Sequence, residues 1–477
     1  VITLVRFRGL RRALALAIAA GVLTLAALGA AWVARAAWVG AGFYAKQLCS
    51  SVFVAGRAPH DVVERDLARM WPSAVFRRVG WHVDAHEGRV EASWFGLVTR
   101  EARHRPGYGC TLIAGETGRL LPVGRANARV ESLPAPAAMP KSARLPREAP
   151  RPALERVLDE AFAESGPEAA TSTRAVVVLR DGRVVAERYA PGFSADMRFP
   201  GWSLTKSVFN AVAGAMIERG MLSLEEPVRV AAWHAPGDPR AAISYDHLLR
   251  MSSGLAFTER YEDPFSDVTT MLFATRGAGA YAAARPMEAP PGTVWRYASG
   301  TSNVLADALR AHLPSDLRYL DLPRRLLFEP LGMSSAVVEL DEAATFIASS
   351  YMLATARDWA RFGALFAADG MWDGRRLLPE GWVAYSRTPA PADASAQYGA
   401  HFWLHHEEER TQAARATSYP LPPDAFFAGG FAGQRITIVP SRGIVVVRLG
   451  YDLDAFNNAG FAARVLEVLD AGAGAGG

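Results

Sequence analysis

The chain has 477 residues, 50% of them hydrophobic and 21% charged, with a net charge of +4. That length implies two or three folding units, and the composition excludes a disordered chain. The basic residues are spread along the chain without runs, which excludes a nucleic-acid footprint. The two cysteines, Cys49 and Cys110, form no CxxC pair and no zinc spacing with histidine, and no residue pattern asks for a metal or a cofactor.

Arg6, Arg8, Arg11 and Arg12 precede an uncharged stretch from Ala13 to Ala34. As a helix this stretch is about 33 Å long, enough to cross a bilayer core of about 30 Å. Residues 1–36 are therefore expected to form a membrane anchor, in contact with the lipid bilayer through residues 13–34. Basic residues ahead of the apolar stretch put the N-terminus in the cytoplasm. The rest would lie in the periplasm, outside a bacterial inner membrane. The alternative is a signal peptide and secretion, although its apolar region is usually shorter, about 7–15 residues. In an oxidising compartment Cys49 and Cys110 are expected to pair. The bridge closes a loop of about 60 residues, worth roughly 3–4 kcal/mol in the chain-entropy account.

Residues 37–131 read as a small extracytoplasmic α+β unit. Asp61 to Met70 is predicted helical. Val79–Asp84 and Arg89–Trp94 alternate apolar and polar residues around a His-Glu-Gly turn, which predicts a hairpin. No catalytic constellation occurs there. Pro134, Pro136, Pro140, Pro146, Pro150 and Pro152 mark 132–152 as a semi-extended linker.

Residues 153–470 are the largest unit. A helix over Leu154–Ser165 comes first, then strands over Ala175–Leu179 and Val184–Arg188 joined at Asp181-Gly182. Helices and loops fill 203–370. Strands return at Arg435–Val439 and Ile444–Leu449. Strands at both ends with helices between predict an α+β domain, with one antiparallel sheet built from both termini and an inserted helical region. Residues 471–477 read as a flexible tail.

Three segments carry chemistry. In the first, Phe199-Pro200-Gly201-Trp202 is a turn, and Ser203-Leu204-Thr205-Lys206 opens a helix to about Arg219. Residues three apart share a helix face, so the Ser hydroxyl and the Lys amine can meet. A desolvated lysine can lose its proton and then take one from serine. Only three of the 52 basic residues are lysines, and none follows Lys206. In a chain that uses Arg almost everywhere, a retained Lys marks a place where Arg would not serve. The competing reading makes Ser203 a plain helix N-cap. The second segment is Pro291 to Gly300, where Tyr297 is either a proton relay or a half-buried core residue. The third is Gly429-Gly430-Phe431-Ala432-Gly433-Gln434. It is either a strand edge offering an N–H to an oxyanion or an ordinary strand start. His405 to Glu409 lacks metal-site spacing and reads as a charged loop. No G-x-S-x-G elbow occurs.

The order Ser203–Lys206, Tyr297, then a Gly-rich strand resembles the serine β-lactamase-like superfamily, in particular class C β-lactamase-related esterases and 6-aminohexanoate-dimer hydrolases. Leu222 to Pro227, His247-Leu248-Leu249-Arg250-Met251-Ser252-Ser253-Gly254-Leu255, Pro330-Leu331-Gly332-Met333 and Ala354 to Asp358 match that family in order. The resemblance covers roughly residues 150–470. It implies a β-lactamase/penicillin-binding-protein-like fold and a serine hydrolase acting on a small-molecule ester or amide. Ser203 would be the nucleophile, and Lys206 and Tyr297 the proton shuttles. The N–H groups of Ser203 and Gln434 would form the oxyanion hole. Ser299, Phe431 and Gly433 would touch substrate, as would Tyr261 and Asp267 by analogy with the oligomer-amide hydrolases. Phe431-Ala432-Gly433 stands where relatives carry Lys-Thr-Gly or His-x-Gly, and the missing cation argues against strong β-lactamase or carboxypeptidase action. A non-catalytic penicillin-binding-like sensor or binding module, or a weak β-lactamase, is the alternative.

Overall fold

The computed structural model describes residues 2–70, 79–115, 145–149, 151–163, 172–405, 420–452 and 456–474. Pro134, Pro136, Pro140 and Pro150 of the expected linker, and His406 to Glu409, lie outside them.

One helix, Ile2–Cys49, carries the apolar N-terminal stretch and continues beyond it. Alanine and leucine dominate it, and both favour helix. Leu14 to Ala34 are exposed, whereas Val39 to Cys49 are buried. It is the one helix among the described residues long and apolar enough to cross a membrane. Past Cys49 the chain turns through Ser50–Val54 and a helical segment from Pro59 to Met70, which contains the expected Asp61–Met70.

A four-stranded antiparallel meander follows: β1 (Val79–Asp84), β2 (Arg89–Trp94), β3 (Val98–Arg105) and β4 (Gly109–Leu112). The first two strands are the predicted hairpin, in register Val79 to Trp94. Cys49 and Cys110 are bridged, with Cα atoms 6.0 Å apart. Phe43 and Leu48 share one hydrophobic core with Phe273 and Tyr351 of the large unit. The last turns of the long helix are thus part of the folded body.

The large unit begins with the helix Pro152–Ala163, then β5 (Thr173–Arg180), β6 (Arg183–Tyr189) and β7 (Arg198–Pro200). Later come β8 (Val337–Val338), β9 (Met352–Thr355), β10 (Met371–Trp372), β11 (Arg375–Arg376) and β12 (Trp403–Leu404). The last strands are β13 (Phe426–Gly430), β14 (Gln434–Val439) and β15 (Ile444–Gly450). The main sheet runs β12-β13-β14-β15-β5-β6, and all its pairs are antiparallel. It is built from both ends of the domain, as the strand pattern predicts.

Alternation along β5 divides the core. Val176 and Val178 face the helices Pro152–Ala163 and Asn458–Gly474, while Val177 and Leu179 face the helix Leu204–Glu218. Two sequence expectations differ from the structure. Pro146 and Glu148 hydrogen-bond to Val184 along the edge of β6, so the end of the linker is docked. The C-terminal helix runs through Gly474, past the expected start of the tail at residue 471.

Candidate active site

Ser203 caps the helix Leu204–Glu218 and lies one turn from Lys206. The helix is buried along nearly its whole length, so Lys206 is also buried, with 1% of its surface exposed. Its Nζ lies 2.9 Å from Ser203 Oγ, 3.2 Å from Ser299 Oγ and 2.9 Å from the Ser349 carbonyl oxygen. Ser349 is itself held by Asn303, which donates to its Oγ at 3.1 Å. The Tyr297 ring stands 4.9 Å from Nζ. The three sequence-derived residues Ser203, Lys206 and Tyr297 therefore converge, and Ser299 joins them.

Behind Ser299 stands a carboxylate that sequence reasoning missed. Ser299 Oγ donates to Glu259 Oε1 at 2.5 Å, and Ser299 N–H donates to Oε2 at 2.9 Å. Tyr261 O–H donates to the same Oε1 at 3.3 Å. Desolvation holds the Glu259 carboxyl above the usual carboxylate range, against the opposing pull of Lys206. Burial, and then the charge of Glu259, push the Tyr261 phenol well up. A proton-bearing line thus runs Lys206, Ser299, Glu259. Glu259 sits in a loop with no periodicity. Its one sequence signal was its place two residues before Tyr261.

His401 closes the site from below. Its Nδ1 lies 2.9 Å from the Lys206 carbonyl oxygen and its Nε2 lies 3.2 Å from Ser302 Oγ. Burial pushes its imidazole down to about 3. The ring is therefore neutral, donating from Nδ1 and accepting at Nε2.

The Gly-rich segment reaches the turn that precedes the nucleophile. A Cβ on Gly430 would lie 2.2 Å from the Gly201 carbonyl oxygen, so only glycine lets β13 abut the turn before Ser203. The Phe431 ring meets Trp202 edge-on, with centroids 5.4 Å apart. Gln434 faces elsewhere: its side chain donates to the carbonyls of Phe431, Ala432 and Gly450 and accepts from Gly450 N–H. A Cβ on Gly433 would sit 1.8 Å from Asp452 Oδ2, beside the Arg448–Asp452 pair. Both residues tie the Phe431–Gly433 turn to β15, because strand pairing sets Gly430 opposite Gln434. Asp267 also lies apart from the nucleophile. It accepts from Thr258, Tyr281 and Arg285 at the start of the helix Asp267–Ala274.

Aromatic rings gather near the nucleophile. Tyr297 packs on Tyr398 and Trp403, with centroids 5.7 and 5.2 Å away, and Trp202, next to Ser203 in the chain, meets Phe431.

The family model for Beta-lactamase matches residues 158–459, well over half of the chain. The chain belongs to the Beta-lactamase family. A 6-aminohexanoate-dimer hydrolase from Paenarthrobacter ureafaciens is 30% identical over 276 residues, which is 56% of this chain and 67% of that protein. A Bacillus anthracis structure provisionally named a 6-aminohexanoate-dimer hydrolase is 22% identical, with TM-score 0.50 over 66% of this chain and 79% of that one. A Bacteroides dorei structure provisionally named a beta-lactamase is 18% identical, with TM-score 0.51 over 66% and 98%. These two show the fold. Together with the family match, the curated relative makes this chain a serine hydrolase of that family.

Proposed function

We propose that the protein is a membrane-anchored hydrolase that cleaves an ester or amide through an acyl-Ser203 intermediate. The observation that carries this reading is the set of three oxygens around Lys206 Nζ. A neutral amine has two N–H donors and one lone pair. The Ser349 carbonyl can only accept, and Ser299 gives its own hydrogen to Glu259. Both N–H groups are then used, and the lone pair is left for the Ser203 hydroxyl.

In the reaction Lys206 takes the Ser203 proton, and Oγ attacks the substrate carbonyl. The oxyanion is met by the Ser203 N–H, which has no backbone partner among the described residues. The second donor we assign to the Phe431 N–H at the end of β13, in place of Gln434. Lys206, with Tyr297 beside it, returns the proton to the leaving alkoxide or amine. Water then attacks the acyl-Ser203 ester, giving a proton to Lys206; the bond between the acyl carbon and Ser203 Oγ breaks, Lys206 returns that proton to Oγ, and the carboxylic acid departs.

The exposed stretch Leu14–Ala34 supports the membrane part of the reading, and the Cys49–Cys110 bridge suits an oxidising compartment. A fluorophosphonate probe and p-nitrophenyl butyrate test the chemistry. Wild type is expected to be labelled and active, and Ser203→Ala to lose both, with turnover down at least about 10³-fold. Equal labelling of the two proteins would sink the assignment.

A further inference from the structure

The apolar helix and the catalytic cleft are joined by one loop. Arg35, the first half-buried residue after the exposed stretch, donates from Nε to the Pro264 carbonyl at 3.1 Å and from NH2 to Thr270 Oγ1 at 2.8 Å. The loop Thr258–Asp267 is closed at its base. There Thr258 N–H donates to Asp267 and Ser266 Oγ donates to the Thr258 carbonyl. The same loop carries Glu259 and Tyr261 of the catalytic group. Only Glu262 and Asp263 separate Tyr261 from Pro264, a span of at most about 11 Å of chain. The cleft mouth is thus held close to the point where the apolar helix leaves the fold.

Large apolar side chains lie exposed at that same level. Phe265 is 55% exposed and lies 5.9 Å from the Arg35 guanidinium. The helix Asp267–Ala274 then runs alongside the long helix, with Thr270 on Arg35 and Phe273 on Phe43. The β2–β3 turn projects Phe95 and Leu97, 53% and 88% exposed. β3 advances beside the long helix in the same direction, since Arg100 donates to the Trp38 carbonyl and His104 stacks on Phe53. Leu97 lies three strand residues, about 10 Å, back from Arg100, so it stands on the same side of Trp38 as Trp32. Trp32 is itself exposed. Two separate loops therefore present apolar tips around the emerging helix, where a bilayer's interfacial region would lie.

Resting on the membrane and acyl-Ser203 readings above, we infer that the cleft mouth is seated on the bilayer and that the substrate is drawn from it. The substrate is an amphipathic ester or amide whose long hydrocarbon chain stays in the membrane. Its scissile carbonyl rises past Tyr261 to Ser203, among the aromatic rings gathered there.

The full chain, reconstituted in phosphatidylcholine/phosphatidylglycerol vesicles, tests this with two esters. One is water-soluble p-nitrophenyl butyrate, and the other is p-nitrophenyl palmitate dissolved in the bilayer. Wild type is expected to favour the palmitate at least tenfold in kcat/KM. The double variant Phe95→Glu/Leu97→Glu is expected to lose at least fivefold on palmitate and to stay within twofold on butyrate. Equal rates on both esters, or a variant that changes both alike or neither, overturns the inference. A fluorescent label on Leu97→Cys gives a reading independent of catalysis. Quenching by nitroxide lipid supports the seating, and quenching only by aqueous iodide overturns it. If wild type takes no fluorophosphonate and cleaves neither ester, the Ser203 reading fails and the substrate assignment falls with it. The quenching result still decides the seating.

Discussion

Lys46 and Lys206 occupy matching surroundings with opposite uses. Both have 1% of their surface exposed. Each meets a serine on its own stretch of chain, Lys46 with Ser50 at 3.0 Å and Lys206 with Ser203 at 2.9 Å. Each also has a glutamate. Glu339 pairs directly with Lys46 and accepts as well from Ser50 and from the Cys110 N–H at 2.7 Å. Glu259 is one residue removed from Lys206, with Ser299 between them. Glu339 gives Lys46 a direct charge partner. Glu259 reaches Lys206 only through the Ser299 hydroxyl, so the Lys206 amine touches neutral oxygens alone. Ser50 is sealed in the core, whereas Ser203 is half-buried. A serine beside a buried lysine is therefore not a nucleophile by spacing alone.

Substitution separates the two sites. Lys206→Ala is expected to lower turnover by about 10³-fold or more while leaving the unfolding transition in place, as read by esterase assay and urea titration. Lys46→Met is expected to do the reverse. It strands Glu339 in the core and costs roughly 3–5 kcal/mol. Adding Glu339→Leu should recover most of that loss, because an apolar pair of similar volume removes the uncompensated charge. If Lys46→Met instead abolished turnover in a fully folded chain, the distinction between the sites would fail.

Much of this arrangement was legible in the sequence. Runs such as Ala175–Leu179 and Ile444–Leu449 are β-branched and bounded by turn residues, so the two-ended sheet could be read with ends off by only one or two positions. The scarcity of lysine pointed to Lys206, although it pointed equally to Lys46. The length of the first helix was hidden, because Ala37 to Cys49 mixes Lys46 and Gln47 with aromatic residues and helical packing there depends on partners far along the chain. The glycines from Gly429 to Gly433 do not say which of them abuts the turn before Ser203. The pairing of Gly430 with Gln434 brings Phe431 to Trp202. Glu259 was marked only by its place two residues before Tyr261, since a lone acidic residue in a loop has no periodic signature.

Glu259 sharpens the comparison from the catalytic side. Glu259→Gln keeps the side-chain size and one acceptor for the Ser299 hydroxyl, and removes the charge and the acceptor for the Ser299 N–H. Turnover is expected to fall about 10- to 100-fold with little change in stability. Its carboxyl lies above the ordinary range because it is desolvated. As pH falls through that raised value it takes a proton, and Lys206 loses its nearby negative partner. The wild-type pH–rate profile should therefore carry an acid limb that the Gln variant lacks. An identical limb in both proteins would remove Glu259 from the mechanism.

His401 gives the effect most easily masked. In the folded chain its imidazole is pushed down to about 3 by burial, with the charge of Lys206 adding to the shift. In the unfolded chain it titrates near 6.5. Between those values the unfolded state binds the proton and the folded state does not, so stability must fall as pH drops from about 6.5 toward 3. Asp341 acts in the opposite sense. Burial pushes its carboxyl up to about 7, so between its unfolded value and 7 the folded state holds the extra proton, and stability falls as pH rises. A raw stability curve would blend the two. The difference between wild type and His401→Gln cancels Asp341, provided the sites do not couple. That difference should shrink steadily between pH 6.5 and 4 in urea unfolding. A pH-independent difference would mean that His401 is protonated in the fold. Its Nε2 would then have to give up the Ser302 hydroxyl as a donor, and the support under Lys206 would differ from the one described.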